Sequence, residues 1–168
     1  MSIRPAVDAD VPEIRECVRQ AYSMYLDRLE RPPAPMHADY ASRVRDGLVY
    51  VERADSVRGL VVLLERTDHL FVENLAVRPE FQGRGIGTRL LDFAESRARA
   101  LGKNEVRLST NVRMTENLRY YSARGFRETG RGVEDGYDRV FLTKRLGARR
   151  GDGPGSTAEA RADAVGFK

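Results

Sequence analysis

Val77-Arg78-Pro79-Glu80-Phe81-Gln82-Gly83-Arg84-Gly85-Ile86-Gly87-Thr88 joins the end of an apolar run to the start of an amphipathic one. Upstream, Leu70 to Val77 is apolar on both faces apart from Glu73 and Asn74, as expected of a central strand. Downstream, Ile86, Leu90, Ala94, Ala98 and Leu101 recur as one stripe and Gly102 ends it, which predicts a helix over Arg84 to Leu101. The loop between them carries alternate glycines at 83, 85 and 87. Glycine admits positive φ and lets a ligand come close to the main chain. The first amides of a helix have no intrahelical acceptor, and the helix dipole places partial positive charge on them. The segment therefore reads as a phosphate cradle, to which Arg84 and Arg89 can add charge-assisted contacts. The glycines alone fit a tight turn without a ligand equally well. Two nucleotide motifs are excluded: a G-x-G-x-x-G started at Gly83 needs glycine at 88, where the chain has Thr88, and a P-loop needs a lysine that the stretch lacks.

Working outward, Ser2 to Pro5 reads as a first strand. Asp8 or Asp10 caps a helix in which Ile14, Val18, Ala21, Tyr22 and Tyr25 recur at helical spacing as far as Leu29. A proline-rich loop, Arg31 to Met36, is rigid because each proline fixes φ. A short helix over Asp39 to Asp46 is ended by Gly47. Strands follow at Leu48 to Glu52 and Val57 to Glu65, ahead of the central one. After the long helix come a strand at Val106 to Ser109, a helix at Thr115 to Arg124, and a last strand pair at Phe126 to Thr129 and Arg139 to Thr143, joined by a turn-rich segment over Gly130 to Asp138. The order gives an α/β fold with a mixed sheet and helices on both faces.

The chain has 168 residues, which suits one domain, and 41% of them are hydrophobic, which is enough for a core. From Gly147 to Lys168 large apolar residues all but vanish until Phe167. The expectation is a domain over 1–146 followed by a flexible tail over 147–168. The net charge of +4 favours an anionic ligand, but no Lys/Arg block marks a nucleic-acid partner. Cys17 is the only cysteine and reads as a small buried hydrophobe; His37 and His69 lack metal-ligand spacing, so no metal is expected. There is no basic-then-apolar leader and no apolar run approaching ~18 residues. A cytoplasmic protein that does not engage a membrane is expected.

The pattern Gln82-x-x-Gly85-x-Gly87, preceded by Leu75-Ala76-Val77-x-Pro79, closely resembles the acetyl-CoA motif of the GNAT superfamily of N-acetyltransferases. Tyr121-Ser122-Ala123-Arg124-Gly125-Phe126 resembles a second family motif, and the element order matches the family fold over about Ser2 to Leu146. The resemblance implies a mostly antiparallel sheet and a transfer of acetyl from acetyl-CoA to a primary amine, by direct attack in a ternary complex. It implies that the pantetheine arm pairs with the main chain of Leu75, Ala76 and Val77. The pyrophosphate would sit on Gln82, Gly83, Arg84, Gly85, Ile86, Gly87 and Thr88. The family often has an asparagine shortly before the tyrosine helix. Met114 holds that place here, with Asn111 before it and Asn117 after it; Asn117 is favoured because it lies one turn before Tyr121, and Asn111 reads as a turn residue.

Tyr121 is the implied general acid, protonating the leaving thiolate. Glu73 alternates with Phe71, Leu75 and Val77, and a carboxylate on that apolar face would have a raised pKa suited to a base. It serves equally as a substrate-binding anion or as an arginine's partner. Acceptor pockets of the family point to Tyr22, Tyr25, the Pro32 to Met36 loop with Met36, Tyr40 and the Gly132 to Tyr137 stretch, and to a small, partly apolar amine or a peptide. The tyrosines can equally be core. A silent acetyl-CoA sensor, a longer acyl donor and a homodimer stay open.

Overall fold

The structure is a computed structural model, and it describes residues 2–29 and 32–147. Among the described residues seven strands form one sheet: β1 (Ile3–Pro5), β2 (Val49–Arg53), β3 (Val57–Glu65), β4 (Leu70–Val77), β5 (Glu105–Asn111), β6 (Arg127–Glu134) and β7 (Tyr137–Arg145). The spatial order is β1-β2-β3-β4-β5-β7-β6, and only the β4–β5 pair is parallel. The central position of β4 explains why its sequence is apolar on both faces. Among the described residues no helix is long and apolar enough to cross a membrane. Apart from Gly147, the expected tail lies outside the described residues.

Two cores sandwich the sheet. Helices α1 (Val11–Tyr22) and α2 (Tyr40–Arg45) cover one face, where Ile14, Cys17, Val18 and Ala21 meet Val49, Val51, Leu60, Val62 and Ala76. Helix α3 (Ile86–Ala100) covers the other, where Ile86, Leu90, Leu91, Ala94 and Ala98 meet Val61, Leu63, Leu75, Val77, Val106 and Leu108. Helix α4 (Thr115–Ser122) adds Tyr120 and Tyr121 to this second core. The close seat of α3 depends on Gly59, where a Cβ would lie 2.9 Å from Ile86 Cγ2 and 3.1 Å from the Ala76 carbonyl.

Three expectations are corrected. The first helix ends at Tyr22 rather than Leu29, and Ser23–Arg28 winds as a 3-10 turn. Three residues per turn set Tyr25 over Tyr22, with ring centroids 6.3 Å apart, and keep Tyr25 fully buried. The segment from Gly130 to Asp138 is not a loop. β6 runs to Glu134, β7 starts at Tyr137, and Asp135-Gly136 alone makes the turn, with φ of +53° and +78°. Positive φ at both central residues marks the tight hairpin turn that matches strand twist. β6 is an exposed edge strand, so it lacks the apolar alternation that would have announced it.

The third correction concerns Glu73. Val62 pairs with Asn74 and Leu63 with Val72, which leaves Glu73 as the extra residue of a β-bulge. Leu70 and Val72 before the bulge, and Leu75 and Val77 after it, all face α3. Glu73 and Asn74 therefore both face α1 and α2, and Glu73 does not share a face with Leu75 and Val77 as strict alternation requires.

Candidate active site

The parallel ladder between β4 and β5 covers only Leu70–Val72 against Val106–Leu108. Beyond it, Ser109 to Asn111 continue pairing with β7, and Asn74 to Val77 pair with β3 alone. The β4 main chain thus opens on its β5 side, and this opening leads to the start of α3. Gly83 and Gly85 there both have φ of +80°. The Arg89 amide is the first of α3 to reach back, to the Gly85 carbonyl at 3.0 Å. The amides of Ile86, Gly87 and Thr88 precede it and have no intrahelical acceptor. A Cβ at Gly83 would meet nothing within 4 Å and one at Gly85 only Arg89 Nη1 at 3.4 Å, so this is a shallow, open cradle.

The loop's side chains divide the work. Gln82 Nε2 donates to the Val77 carbonyl at 3.2 Å, which ties the loop to the strand end. Arg84 and Arg58 lie over the Phe81 ring, 5.4 Å and 4.9 Å from its centroid. Arg89 donates through Nε (3.0 Å) and Nη2 (2.6 Å) to Glu52 Oε1, a fully buried carboxylate on β2. The side chains of Leu75, Ala76, Val77 and Ile86 are buried in the cores, leaving them only their main chain to offer a ligand.

Helix α4 approaches from the α3 side. Tyr121 is buried, with edge-on contacts to Tyr120 (5.2 Å) and Phe126 (5.5 Å). Burial pushes its phenol well above the ordinary value, so it stays protonated across neutral pH. One turn earlier, fully buried Asn117 donates to Thr110 Oγ1 (3.2 Å) and Met114 Sδ (3.5 Å), while its Oδ1 has no partner. Asn111 accepts from the Arg113 amide at 2.9 Å, as a turn residue does.

On the α1 side, Glu73 takes a two-pronged bond from Arg43 of α2, at 3.0 and 3.1 Å. Its surroundings are thus a guanidinium rather than the expected apolar face. Asn74 beside it accepts from Tyr22 (2.6 Å) and donates to Tyr40 Oη (3.1 Å), which in turn donates to the Pro35 carbonyl (2.5 Å). This chain pins α1, α2 and the Ala34–His37 turn to the bulge. Burial and the neighbouring phenols Tyr121, Tyr40 and Tyr25 raise Tyr22's pKa, while Arg139 opposes them.

A cavity of about 30 Å³ lies here, lined by Tyr22, Glu73, Ser109, Asn111, Tyr137 and Arg139 with the prolines 33 and 35. Tyr137 Oη donates to the Pro32 carbonyl at 2.6 Å and so joins the hairpin to the proline loop. Of the expected acceptor residues, Tyr22 lines this cavity, with Pro33 to Pro35 of the proline loop and Tyr137 from the end of the Gly132 to Tyr137 stretch. Tyr25 is buried behind it, and Met36 and Tyr40 line a separate depression of about 270 Å³ with Arg15, Arg19 and His37.

Sequence reasoning missed Arg43, Arg139 and the Glu52–Arg89 pair. Only the two polar residues inside the apolar run of β4 gave a signal; an arginine was among the partners they left open for Glu73, without its position in the chain.

The orphaned Asn117 oxygen, the open β4 edge and a glycine cradle at a helix start fit a long ligand with an amide-rich arm and a phosphate end. The sequence model of the Acetyltransferase (GNAT) family matches residues 12–126. The chain belongs to that family. A segment of 58 residues is 34% identical to aminoalkylphosphonate N-acetyltransferase of Salmonella typhimurium, covering 34% of this chain and 38% of that protein. The PaiA N-acetyltransferase of Thermoplasma acidophilum, solved with coenzyme A, superimposes with a TM-score of 0.73 over 86% of this chain and 98% of its own; at 19% identity the likeness is one of fold. An IAA acetyltransferase from Bacillus cereus is 27% identical over 86% of this chain and 99% of its own, with a TM-score of 0.63. In this GNAT chain the matched region includes the glycine loop and most of α1 to α4, and stops at Phe126, before the hairpin that closes the cavity.

Proposed function

We propose that the chain is a cytoplasmic N-acetyltransferase that moves the acetyl group of acetyl-CoA to a primary amine of a small molecule or peptide, by direct attack in a ternary complex. The observation that carries this reading is the divergence of β4 from β5. The cradle follows the open end of β4, the cavity with Glu73 lies on the α1 side, and Tyr121 belongs to the core on the α3 side. The Salmonella relative's named substrate is an amine, which supports an amine acceptor.

Acetyl-CoA bound there supplies an activated acetyl group. The main chain of Leu75 to Val77 receives the extended arm, the amides of Gly83 to Thr88 receive the pyrophosphate with Arg84 and Arg89 alongside, and Asn117 Oδ1 accepts a hydrogen bond. Tyr121 donates its proton to the leaving sulfur, and its raised pKa keeps that proton available at neutral pH. Glu73, oriented by Arg43, accepts the amine proton directly or through a water. Tyr22, fixed by Asn74, forms the cavity wall at the opening.

The test is thermal shift with a series of CoA esters, followed by thiol release over a panel of amines. Stabilisation by acetyl-CoA with thiol release on some amine is the expected result. Stabilisation without release on any amine would make the protein an acetyl-CoA-binding domain without transferase activity, and a preference for longer esters would change the donor.

A further inference from the structure

Arg139 stands in β7 opposite Asn111 of β5 and Gly132 of β6, and its side chain lines the cavity with Glu73. Elsewhere in the domain arginines are neutralised by a carboxylate: Arg43 by Glu73, Arg28 by Glu116, Arg107 by Glu105, Arg89 by Glu52. Arg139 has no carboxylate partner among the described residues. Its Nε is fully buried and donates to nothing; the Tyr137 ring lies 5.4 Å from the guanidinium carbon, and the charge also acts on the Tyr22 phenol. The side chain as a whole is half-buried, but a buried N–H without an acceptor is costly, and native proteins rarely keep one unless something else supplies the acceptor. Among the described residues Glu73 is the one carboxylate that lines this cavity, and it is already bonded through both oxygens to Arg43. Among the described residues, no second carboxylate of this cavity is left to face the Arg139 guanidinium. The hydroxyl of Ser109 and the amide of Asn111 line it beside the guanidinium, and no side chain of β6 crowds it at Gly132.

We propose that Arg139 is the anion anchor of the acceptor site, and that the acceptor is a short amine bearing an acidic group, a carboxylate or a phosphonate, at the end away from the nitrogen. A planar guanidinium binds an oxyanion through paired N–H donors, which fixes orientation as well as affinity. With the acid held at β7, the amine end of a short molecule is left toward Glu73 and the opening between β4 and β5. This inference rests on the acetyltransferase reading and adds the substrate class to it.

The experiment compares 2-aminoethylphosphonate, β-alanine and the neutral amine propylamine by thiol release with acetyl-CoA. It uses the full chain and the variants Arg139→Gln and Arg139→Lys, and titrates each acidic amine calorimetrically into the protein holding CoA. The parent chain is expected to favour an acidic amine over propylamine by about ten- to a hundredfold in kcat/KM. Arg139→Gln should bring that ratio toward one and abolish binding of the acidic amine, while acetyl-CoA still binds. Arg139→Lys should keep part of the preference. The phosphonate and carboxylate arms show which oxyanion is preferred. Equal use of neutral and acidic amines by the parent chain would overturn the anchor while leaving the acetyltransferase reading intact, and this result does not depend on whether a variant folds. An undiminished ratio in a folded Arg139→Gln would also overturn it. Failure of acetyl-CoA to bind the parent chain would overturn both readings.

Discussion

Alanine in place of Gly85 would put a Cβ on a residue whose φ is +80°, directly in the turn that opens α3. The left-handed conformation costs a non-glycine residue roughly 1–2 kcal/mol. Sterics add little, because the nearest atom is the mobile Arg89 Nη1 at 3.4 Å. For a chain of this size each kcal/mol lowers Tm by roughly 2–4 °C, so the variant should melt about 2–8 °C lower and still fold. At the cradle, a methyl group beside the amides that face a phosphate should weaken charge-assisted bonds worth about 1.5–3 kcal/mol each, a loss in acetyl-CoA affinity of at least about tenfold. Gly47→Ala is the control. Its φ is +73°, nothing lies within 4 Å of the added Cβ, and it sits between α2 and β2, away from the opening. The two variants should lose similar Tm, and only Gly85→Ala should lose affinity in a calorimetric titration with acetyl-CoA. A folded Gly85→Ala that binds acetyl-CoA as tightly as Gly47→Ala would refute the assignment of the phosphate site.

Tyr121→Phe keeps the ring in the core and removes the proposed proton donor. Turnover should fall at least about tenfold with acetyl-CoA affinity little changed, read by steady-state kinetics and by titration on the same protein. Because burial raises this phenol's pKa, any fall in rate below pH 10 should survive the substitution; its disappearance would mean that the phenol titrates there. Glu52→Gln removes the anion that holds Arg89 beside the loop, and should lower Tm and raise KM for acetyl-CoA with kcat nearly unchanged. An unaltered KM would mean that Arg89 does not serve the donor. Burial pushes the Cys17 thiol up to about 12 from 9.0. The protonated form is therefore favoured by folding, its stabilisation is complete below about pH 9, and it declines as pH rises toward 12. Native protein should resist maleimide at pH 7 and react fully once denatured, and Cys17→Ala should flatten the alkaline limb of the stability curve.

The proposed donor half of the site could be read from the sequence because its signals are local. The glycines at 83, 85 and 87, the strand before them and the helix after them are contiguous, and their function depends on backbone geometry that glycine spacing reports. The proposed acceptor half was less legible because its residues are brought together across the sheet. Glu73 meets Arg43 across 30 residues, Tyr22 meets Asn74 across 52, and Tyr137 meets Pro32 across 105. No periodicity encodes such meetings. Alternation failed at Glu73 because a bulge shifts parity without altering composition. The long hairpin was hidden because an edge strand facing solvent need not alternate, although its Asp135-Gly136 turn was written in the sequence.

The bulge carries a further consequence for how this strand tolerates change. If residue 73 were deleted, Val72, Leu75 and Val77 would still reach the α3 core by simple alternation, and Asn74 and Ala76 would still reach the α1 core. The hydrophobic interior has no use for the extra residue. What the insertion provides is adjacency: a carboxylate and an amide placed next to each other on one face, which an unbroken strand can never do. Residue 73 is thus a position where deletion should be gentle on folding and severe for chemistry, the reverse of what a central strand ordinarily shows.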